Sequence, residues 1–179
     1  INIAEWKLVA WKYQEFEANT DYKKYTKEEI HLLHSEVREK LKRAVEIRLR
    51  SDIEVGACLS GGIDSSAIVG MMRSIDEKRT IKVFTAASEH KEIDESHWAK
   101  LVAEKSKALH YLVYPKQTEL QTDLRDLIYS QDVPIWSTST YAQFRVLKLA
   151  ADNGVRVVLD GQGSDELFAG YPNYMLNYW

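Results

Sequence analysis

The run ACLSGGIDSSAI, residues 57–68, constrains this chain more than any other stretch. A short β-rich apolar segment, IEVGACL, ends in two adjacent glycines, and a helical pattern, IDSSAIVGMMRSI, begins at once. Gly61 and Gly62 carry no Cβ, so the backbone can turn tightly and present bare amide hydrogens. The following helix aims its positive N-terminus at the same point, and Ser60, Ser65 and Ser66 add hydroxyl donors. Together these make a seat for phosphate oxygens. The loop is not of the GxxxxGK[ST] type, being shorter and without a lysine. A plain tight connection would use the same glycines, with Asp64 and the serines as helix-start residues. The complete string behind a buried-strand pattern favours the anion seat.

Asp64 then poses a conflict. A carboxylate about 4 Å from a phosphate charge costs roughly 4 kcal/mol at an effective dielectric near 20. A helix N-terminus returns only about 1 kcal/mol to one anion. The conflict disappears if a magnesium ion lies between them, since magnesium favours one or two carboxylates together with substrate phosphates and water. The loop therefore implies a magnesium-bound polyphosphate. A second loop repeats the design: in VRVVLDGQGSDELFAGY a buried-strand pattern is followed by Gly161 and Gly163, then Asp165 and Glu166. Asp165 is the natural second metal ligand. Glu166 is read as a cap or an arginine partner, and Asp160 either fixes the turn or touches the ligand.

The rest of the chain supplies the frame. TKEEIHLLHSEVREKLKRAVEIRLR predicts a long helix opened by a Thr26/Glu29 capping box, with Ile30, Leu33, Val37, Leu41, Ala44 and Val45 as its apolar stripe. Its bases Lys42, Arg43, Arg48 and Arg50 form a solvated face or attract a polyphosphate. Strands are expected in IEVGACL, IKVFTAA, HYLVY and VRVVL. The helices between them include DESHWAKLVAEKSKA, with Trp98, Leu101, Val102 and Lys105 on one side. Next come TELQTDLRDLIYSQ, with a Thr118/Gln121 capping box, and TSTYAQFRVLKLAADNG, ended by Gly154. Brief strands with little polar alternation, separated by helices, read as a doubly wound parallel α/β sheet. Such sheets bind ligands at the carboxyl ends of the strands, where the strand order reverses.

Residues 1–25 read as a linker or extended N-terminal segment, and 26–179 as the N-terminal part of a nucleotide-binding domain. A net charge of −3 argues against a nucleic-acid surface, and no apolar run approaches a membrane span. The single cysteine, Cys58, excludes an internal disulfide and fits a reducing, cytoplasmic setting, with a buried structural thiol as its reading. The five histidines lack metal-ligand spacing apart from His31 and His34, at i and i+3 on an otherwise ordinary helix. Trp6, Trp11, Trp98 and Trp136 are assigned to core or rim packing, and residues 137–140 either line a pocket or cap a helix. YPNYMLNYW is expected to pack onto a continuation of the chain or onto a second copy in a homodimer.

LSGGIDSS together with VVLDGQGSDELFAGY resembles the synthetase domain of the asparagine synthetase family, and SGGxDSS alone marks the wider PP-loop ATP pyrophosphatases. RLRSDIEVGACLSGG and FTAASEHKEIDESHWAKLVAE carry the resemblance further, over most of the chain. It implies ATP and magnesium as ligands, and a substrate carboxylate, usually aspartate, that is adenylated with release of pyrophosphate. Ammonia from an N-terminal glutaminase domain then gives the amide. It also implies that Leu59, Ser60, Gly61, Gly62, Asp64, Ser65, Ser66, Ala86, Asp160 and Gly161 contact ATP. Asp64 and Asp165 would hold the metal, with Gln162 beside them in the chemistry.

Gln162 stands where the family usually carries glutamate, and Asp160 where it usually carries serine. A carboxylate nucleophile is already ionised at neutral pH, so adenylation tolerates the amide. Ammonia capture asks for a base, which an amide cannot be. Other acids are therefore alternatives, in β-lactam, lasso-peptide or sugar-acid amidation. A degenerate nucleotide-binding module is the non-enzymatic alternative. The fragment alone is expected to be a poor catalyst.

Overall fold

A computed structural model describes residues 10–12, 15, 23–92, 94–135 and 137–174. Trp6, Trp136, residues 175–179 and most of the expected extended opening segment lie outside them. The chain divides into two compact units, Ile1–Val37 and Arg38–Trp179. Helix α1, Lys27–Arg48, runs across the boundary.

In the first unit the expected capping box is present. The Thr26 amide donates to Glu29 Oε2 at 2.9 Å, and the Glu29 amide donates to Thr26 Oγ1 at 3.2 Å. Ile30, Leu33 and Val37 of the apolar stripe are exposed.

The second unit is a four-stranded sheet built from β1 (Val55–Cys58), β2 (Lys82–Ala86), β3 (Leu109–Val113) and β4 (Val157–Leu159). The spatial order is β3-β2-β1-β4 and every pairing is parallel. The chain winds outward from β1 through α2 (Ile63–Ile75) and α3 (Ser96–Lys105) to β3. It then returns through α4 (Gln117–Gln131) and α5 (Thr138–Asp152) to β4, on the other side of β1. A single crossover hand requires such a path to put its two halves on opposite faces, and the core obeys this. Val55, Ala57, Leu59 and Val83 pack with Val45 of α1 and Leu49 just after it, Val69 and Met72 of α2, and Ala99 and Ala103 of α3. Phe84, with Cys58 and Ala86, packs instead with Val146 and Ala150 of α5. The expected doubly wound parallel α/β sheet is the fold observed.

Burial on both faces holds for the central strands β1 and β2 only. The outer strands are partly open, with Leu109, Leu112 and Val157 exposed. Among the described residues no helix is long and apolar enough to cross a membrane.

Two helices differ from the sequence reading. In α3 the buried residues are Ala99 and Ala103, while Trp98 is 53% exposed and Leu101 42%. The cause is a close approach: a Cβ placed on Gly61 would lie 2.9 Å from both the Ala99 amide nitrogen and Trp98 Cβ. Only small side chains fit between that helix and the glycine turn. In α4 the Thr118/Gln121 box is replaced by one starting two residues earlier, where the Lys116 amide donates to Glu119 Oε2 at 3.2 Å. An ionised carboxylate is a stronger acceptor than the Gln121 amide, and it has a second task. Arg145 Nη1 of α5 donates to Glu119 Oε2 at 2.6 Å, to Asp123 Oδ2 at 3.1 Å and to the Tyr141 hydroxyl oxygen at 3.0 Å. Tyr141 in turn donates its hydroxyl hydrogen to Asp123 Oδ2 at 2.9 Å.

This brace fixes α5 against α4, and it titrates. The Arg145 hydrogen bond holds the Glu119 carboxyl below its ordinary value. Burial alone would raise Asp123, but Tyr141, Lys148 and Arg145 overcome it and hold that carboxyl low as well. Carboxyls lowered in the fold stabilise it above their ordinary range, and that support is lost as pH falls through the lowered values. Arg145→Met is therefore expected to lower the melting temperature at neutral pH by roughly 5 °C. It should also make the loss of stability between about pH 5 and pH 3 shallower than in the parent. Thermal melts followed by circular dichroism across that range check both.

Candidate active site

The order reversal between β1 and β4 places the carboxyl ends of these two strands side by side, and both glycine loops leave from there. The loops touch. A Cβ placed on Gly161 would lie 2.9 Å from the Ser65 amide nitrogen and 3.1 Å from Asp64 Cβ. This contact brings the two acidic turns together around a cleft of about 490 Å³, within the size range of nucleotide-sized ligands. Asp64 and Asp165 both line it, one from each loop.

The first loop is stitched by its own serines. The Ser60 amide donates to Ser65 Oγ at 3.2 Å, and the two hydroxyls are 3.0 Å apart. The Gly62 amide donates to Ser60 Oγ at 3.2 Å, and the Ser66 hydroxyl donates to the Gly62 carbonyl at 2.6 Å. Gly61 has φ +94°, a region that favours glycine. What remains free for an anion is the backbone: the first turn of α2 leaves the amides of Ile63, Asp64 and Ser65 without acceptors inside the helix. Leu59, Ser60, Gly62 and Ser65 line the cleft, whereas Gly61 and Ser66 do not. Those two shape the loop instead.

A hydrogen-bonded chain anchors the base of the loop from the sheet. Thr85, 1% exposed, donates its hydroxyl hydrogen to the Leu59 carbonyl at 2.6 Å. That commits its only proton, so the contact to His110 Nε2 at 2.8 Å requires the imidazole to be the donor. Burial, with the charge of Lys100, holds His110 below its ordinary pKa and keeps it neutral.

The second loop contributes Asp160, Gly161, Gln162 and Asp165 to the cleft. Asp160 fixes the turn and lines the cleft. Its Oδ1 accepts the Gln162 amide at 3.3 Å, fixing the turn, and its Oδ2 accepts Gln143 Nε2 at 3.0 Å on the cleft wall. Asp165 opens a short helix, α6 (Ser164–Phe168). An added Cβ at Gly170 would collide with Asp165 Oδ1, so glycine lets the returning chain pass against that carboxylate. Glu166 lies outside the cleft and accepts the Tyr171 hydroxyl at 3.0 Å, so it neither caps nor pairs with an arginine. Cys58 lines the floor, where burial and the neighbouring Asp160 push its thiol up to about 12. It is a protonated, inert thiol at neutral pH.

Sequence reasoning missed most of the facing wall. Ala142, Gln143 and Val146 of α5 line the cleft, as do Ser139 and Thr140. The lining role is the one the structure supports for those two. Helical spacing of 139, 142/143 and 146 was visible in the sequence, but nothing in it marked that face as facing a ligand. Ala86 and Phe84 also line the cleft. The bases of α1 stay out of the cleft: Arg43 pairs with Glu46 at 2.6 Å, and Arg50 reaches the same carboxylate at 3.6 Å.

Among the described residues no lysine or arginine lines the cleft, which carries Asp64, Asp160 and Asp165. Among the described residues Asp64 and Asp165 enter no ion pair, and no three His, Cys, Asp or Glu side chains gather as a metal site. Two carboxylates beside an amide-lined turn fit a magnesium ion whose remaining ligands are phosphates and water. They do not fit a bare polyanion.

The asparagine synthase family profile matches residues 36–179. The chain belongs to that family. A Methanocaldococcus jannaschii relative is 33% identical over 172 residues, 96% of this chain and 32% of its own length. Asparagine synthetase [glutamine-hydrolyzing] 1 of Bacillus subtilis is 33% identical over 89% of this chain and 24% of its own. Amidase chyE of Penicillium rubens is 32% identical over 75% and 22%. The chain thus spans about a quarter to a third of these asparagine synthase family relatives. Among solved structures, the NH3-dependent NAD synthetase of Campylobacter jejuni superposes with a TM-score of 0.51 at 18% identity, covering 76% of this chain and 60% of that one. It shares the fold, and the family that the profile matches is one of ATP-dependent ligases and amidotransferases.

The Gly161 contact makes a contrast measurable. Gly161→Ala forces a methyl against backbone and should cost about 1–3 kcal/mol in urea unfolding. Gly70→Ala, in the interior of α2 with nothing within 4 Å of the new methyl, should instead gain about 0.5–1 kcal/mol.

Proposed function

We propose that this chain is the ATP-binding part of an asparagine synthetase-like amidotransferase. It would adenylate a carboxylic acid and pass the acyl group to ammonia. The observation that carries the reading is the Gly161 contact, which sets Asp64 and Asp165 on one cleft beside the free amides of α2 with no basic side chain among the lining residues.

In this reading the triphosphate lies over the first turn of α2, where the amides of Ile63, Asp64 and Ser65 receive phosphate oxygens. Asp64 and Asp165 hold magnesium, which supplies charge neutralisation for the departing pyrophosphate. A carboxylate oxygen of the acid attacks the α-phosphorus, and the bond to the bridging oxygen breaks with its electron pair leaving on pyrophosphate. Ammonia then attacks the acyl carbon, AMP departs, and one proton is lost. Leu59 and Ala86 lie against the nucleotide, and Asp160 and Gly161 reach it from the second loop. Gln162, exposed at the cleft, orients the acyl group by hydrogen bonding and takes no proton. The ammonia would come from a glutaminase domain of the whole protein, as the names of the glutamine-hydrolysing relatives suggest. The acid is aspartate or another carboxylate: relatives named as amidases match this chain as well as those named as asparagine synthetases.

Calorimetric titration of the chain with ATP, with and without magnesium, tests the site. Asp64→Ala and Asp165→Ala are each expected to remove the magnesium-dependent gain in affinity, a loss of about tenfold or more. Binding unchanged in both variants would refute the metal assignment. In the full-length protein, supplied with ammonia and a panel of acids, Gln162→Glu is expected to raise amide formed per pyrophosphate released by about tenfold or more. An unchanged ratio would show that the position has no part in ammonia capture.

A further inference from the structure

β1 leaves the sheet at the root of the first glycine loop. There the Leu59 amide still donates to the Phe84 carbonyl of β2 at 2.9 Å. The Leu59 carbonyl is held by a side chain: Thr85 donates its hydroxyl hydrogen to it at 2.6 Å. Thr85 is 1% exposed, and neither it nor His110 beside it lines the cleft.

The hold on this carbonyl reaches the cleft through the backbone. A carbonyl and the amide that follows it share one rigid plane. Fixing the Leu59 carbonyl therefore fixes the direction of the Ser60 N–H, which donates to Ser65 Oγ at 3.2 Å. Ser65 belongs to the first turn of α2, lines the cleft, and sets its own amide against Gly161 of the second loop. The Ser65 hydroxyl in turn donates to the Gly62 carbonyl at 3.3 Å. From β3 to the glycine turn every bond runs in one sense: His110 to Thr85, Thr85 to Leu59, Ser60 to Ser65, Ser65 to Gly62. Bonds aligned in this way polarise and strengthen one another.

The sense is set at the far end. The threonine hydroxyl has one proton to give. With Nε2 protonated, His110 is the donor and that proton goes to Leu59. A bare Nε2 would draw the proton to itself and take it from the carbonyl.

Building on the ATP reading above, we propose that Thr85 and His110 are positioning residues for the triphosphate cradle. From within the sheet they aim the Leu59–Ser60 peptide and so hold the first turn of α2 in its receiving position. A threonine that only satisfied a buried carbonyl would support stability and leave affinity alone.

The test is calorimetric titration of the chain with ATP and magnesium, at a temperature where circular dichroism shows each variant folded. Thr85→Val keeps the shape and removes the hydroxyl, and it is expected to weaken binding about tenfold or more. Thr85→Ser restores the hydroxyl and should bind within about threefold of the parent. His110→Leu removes the donor and should weaken binding about threefold or more, whereas His110→Gln, which offers an amide N–H in place of Nε2–H, should stay within about twofold. The pair at 110 decides the matter if Thr85→Val does not fold. Exchange of the Ser60 amide hydrogen, followed by NMR without ligand, gives a second readout. It should be about tenfold or more faster in Thr85→Val and His110→Leu than in the parent, with Ala57 inside β1 unchanged. If the parent binds ATP and the folded Thr85→Val and His110→Leu variants bind within about twofold of it, the proposal is overturned and the ATP reading stands. Unchanged exchange at Ser60 in both variants overturns it too. If the parent does not bind ATP with magnesium at all, the ATP reading falls and the proposal with it.

Discussion

The site depends on a backbone contact that only glycine permits. Gly161 lies against Asp64 and Ser65, so the turn leaving β4 rests on the first turn of the helix leaving β1. The contact exists because β4 lies next to β1 in the sheet, although most of the domain separates them in sequence. Strand order, helix handedness and the absence of one methyl group therefore act together. The reversal opens a gap between the strand ends, and the glycine lets the two loops close on each other there, with Asp64 and Asp165 lining the same cleft.

That dependence explains what could be read from the sequence and what could not. The two glycine loops, the four strands and the doubly wound fold were legible, because each follows from local patterning: apolar runs, turn glycines, helical stripes. That Asp64 and Asp165 share one cleft was legible because both follow a strand–glycine turn, and the two strands end at the same edge of the sheet. The inner face of α5 was not legible. Gln143 is an ordinary glutamine on an amphipathic helix, and its partner Asp160 lies 17 residues on in another element. Likewise Ser66 has the residue type of a phosphate donor, yet its hydroxyl is spent on the Gly62 carbonyl. The inner face of α3 was not legible for a related reason. The sequence grouped Trp98, Leu101, Val102 and Lys105 on one side and did not mark Ala99 and Ala103, which helix-to-loop distance selects for burial.

The helices divide the labour. α2 presents its first turn to the cleft, and its far side is buried in one core with α1 and α3. α5 presents a wall and is held from behind by Arg145, which gathers Glu119, Asp123 and Tyr141. One side of the cleft is thus secured by hydrophobic packing and the other by a polar brace, and the two respond differently to pH and salt.

The serine-stitched loop has a further consequence. Ser60, Ser65 and Ser66 bond to their own turn, and Thr85 ties its base to the sheet. The conformational freedom of this turn is therefore surrendered when the chain folds and not when a ligand arrives. A guest meets a rigid cradle, so its encounter carries little entropic penalty from the host. The cost falls instead on the synthesis of the fold itself, which must set these hydroxyls before there is anything for them to hold.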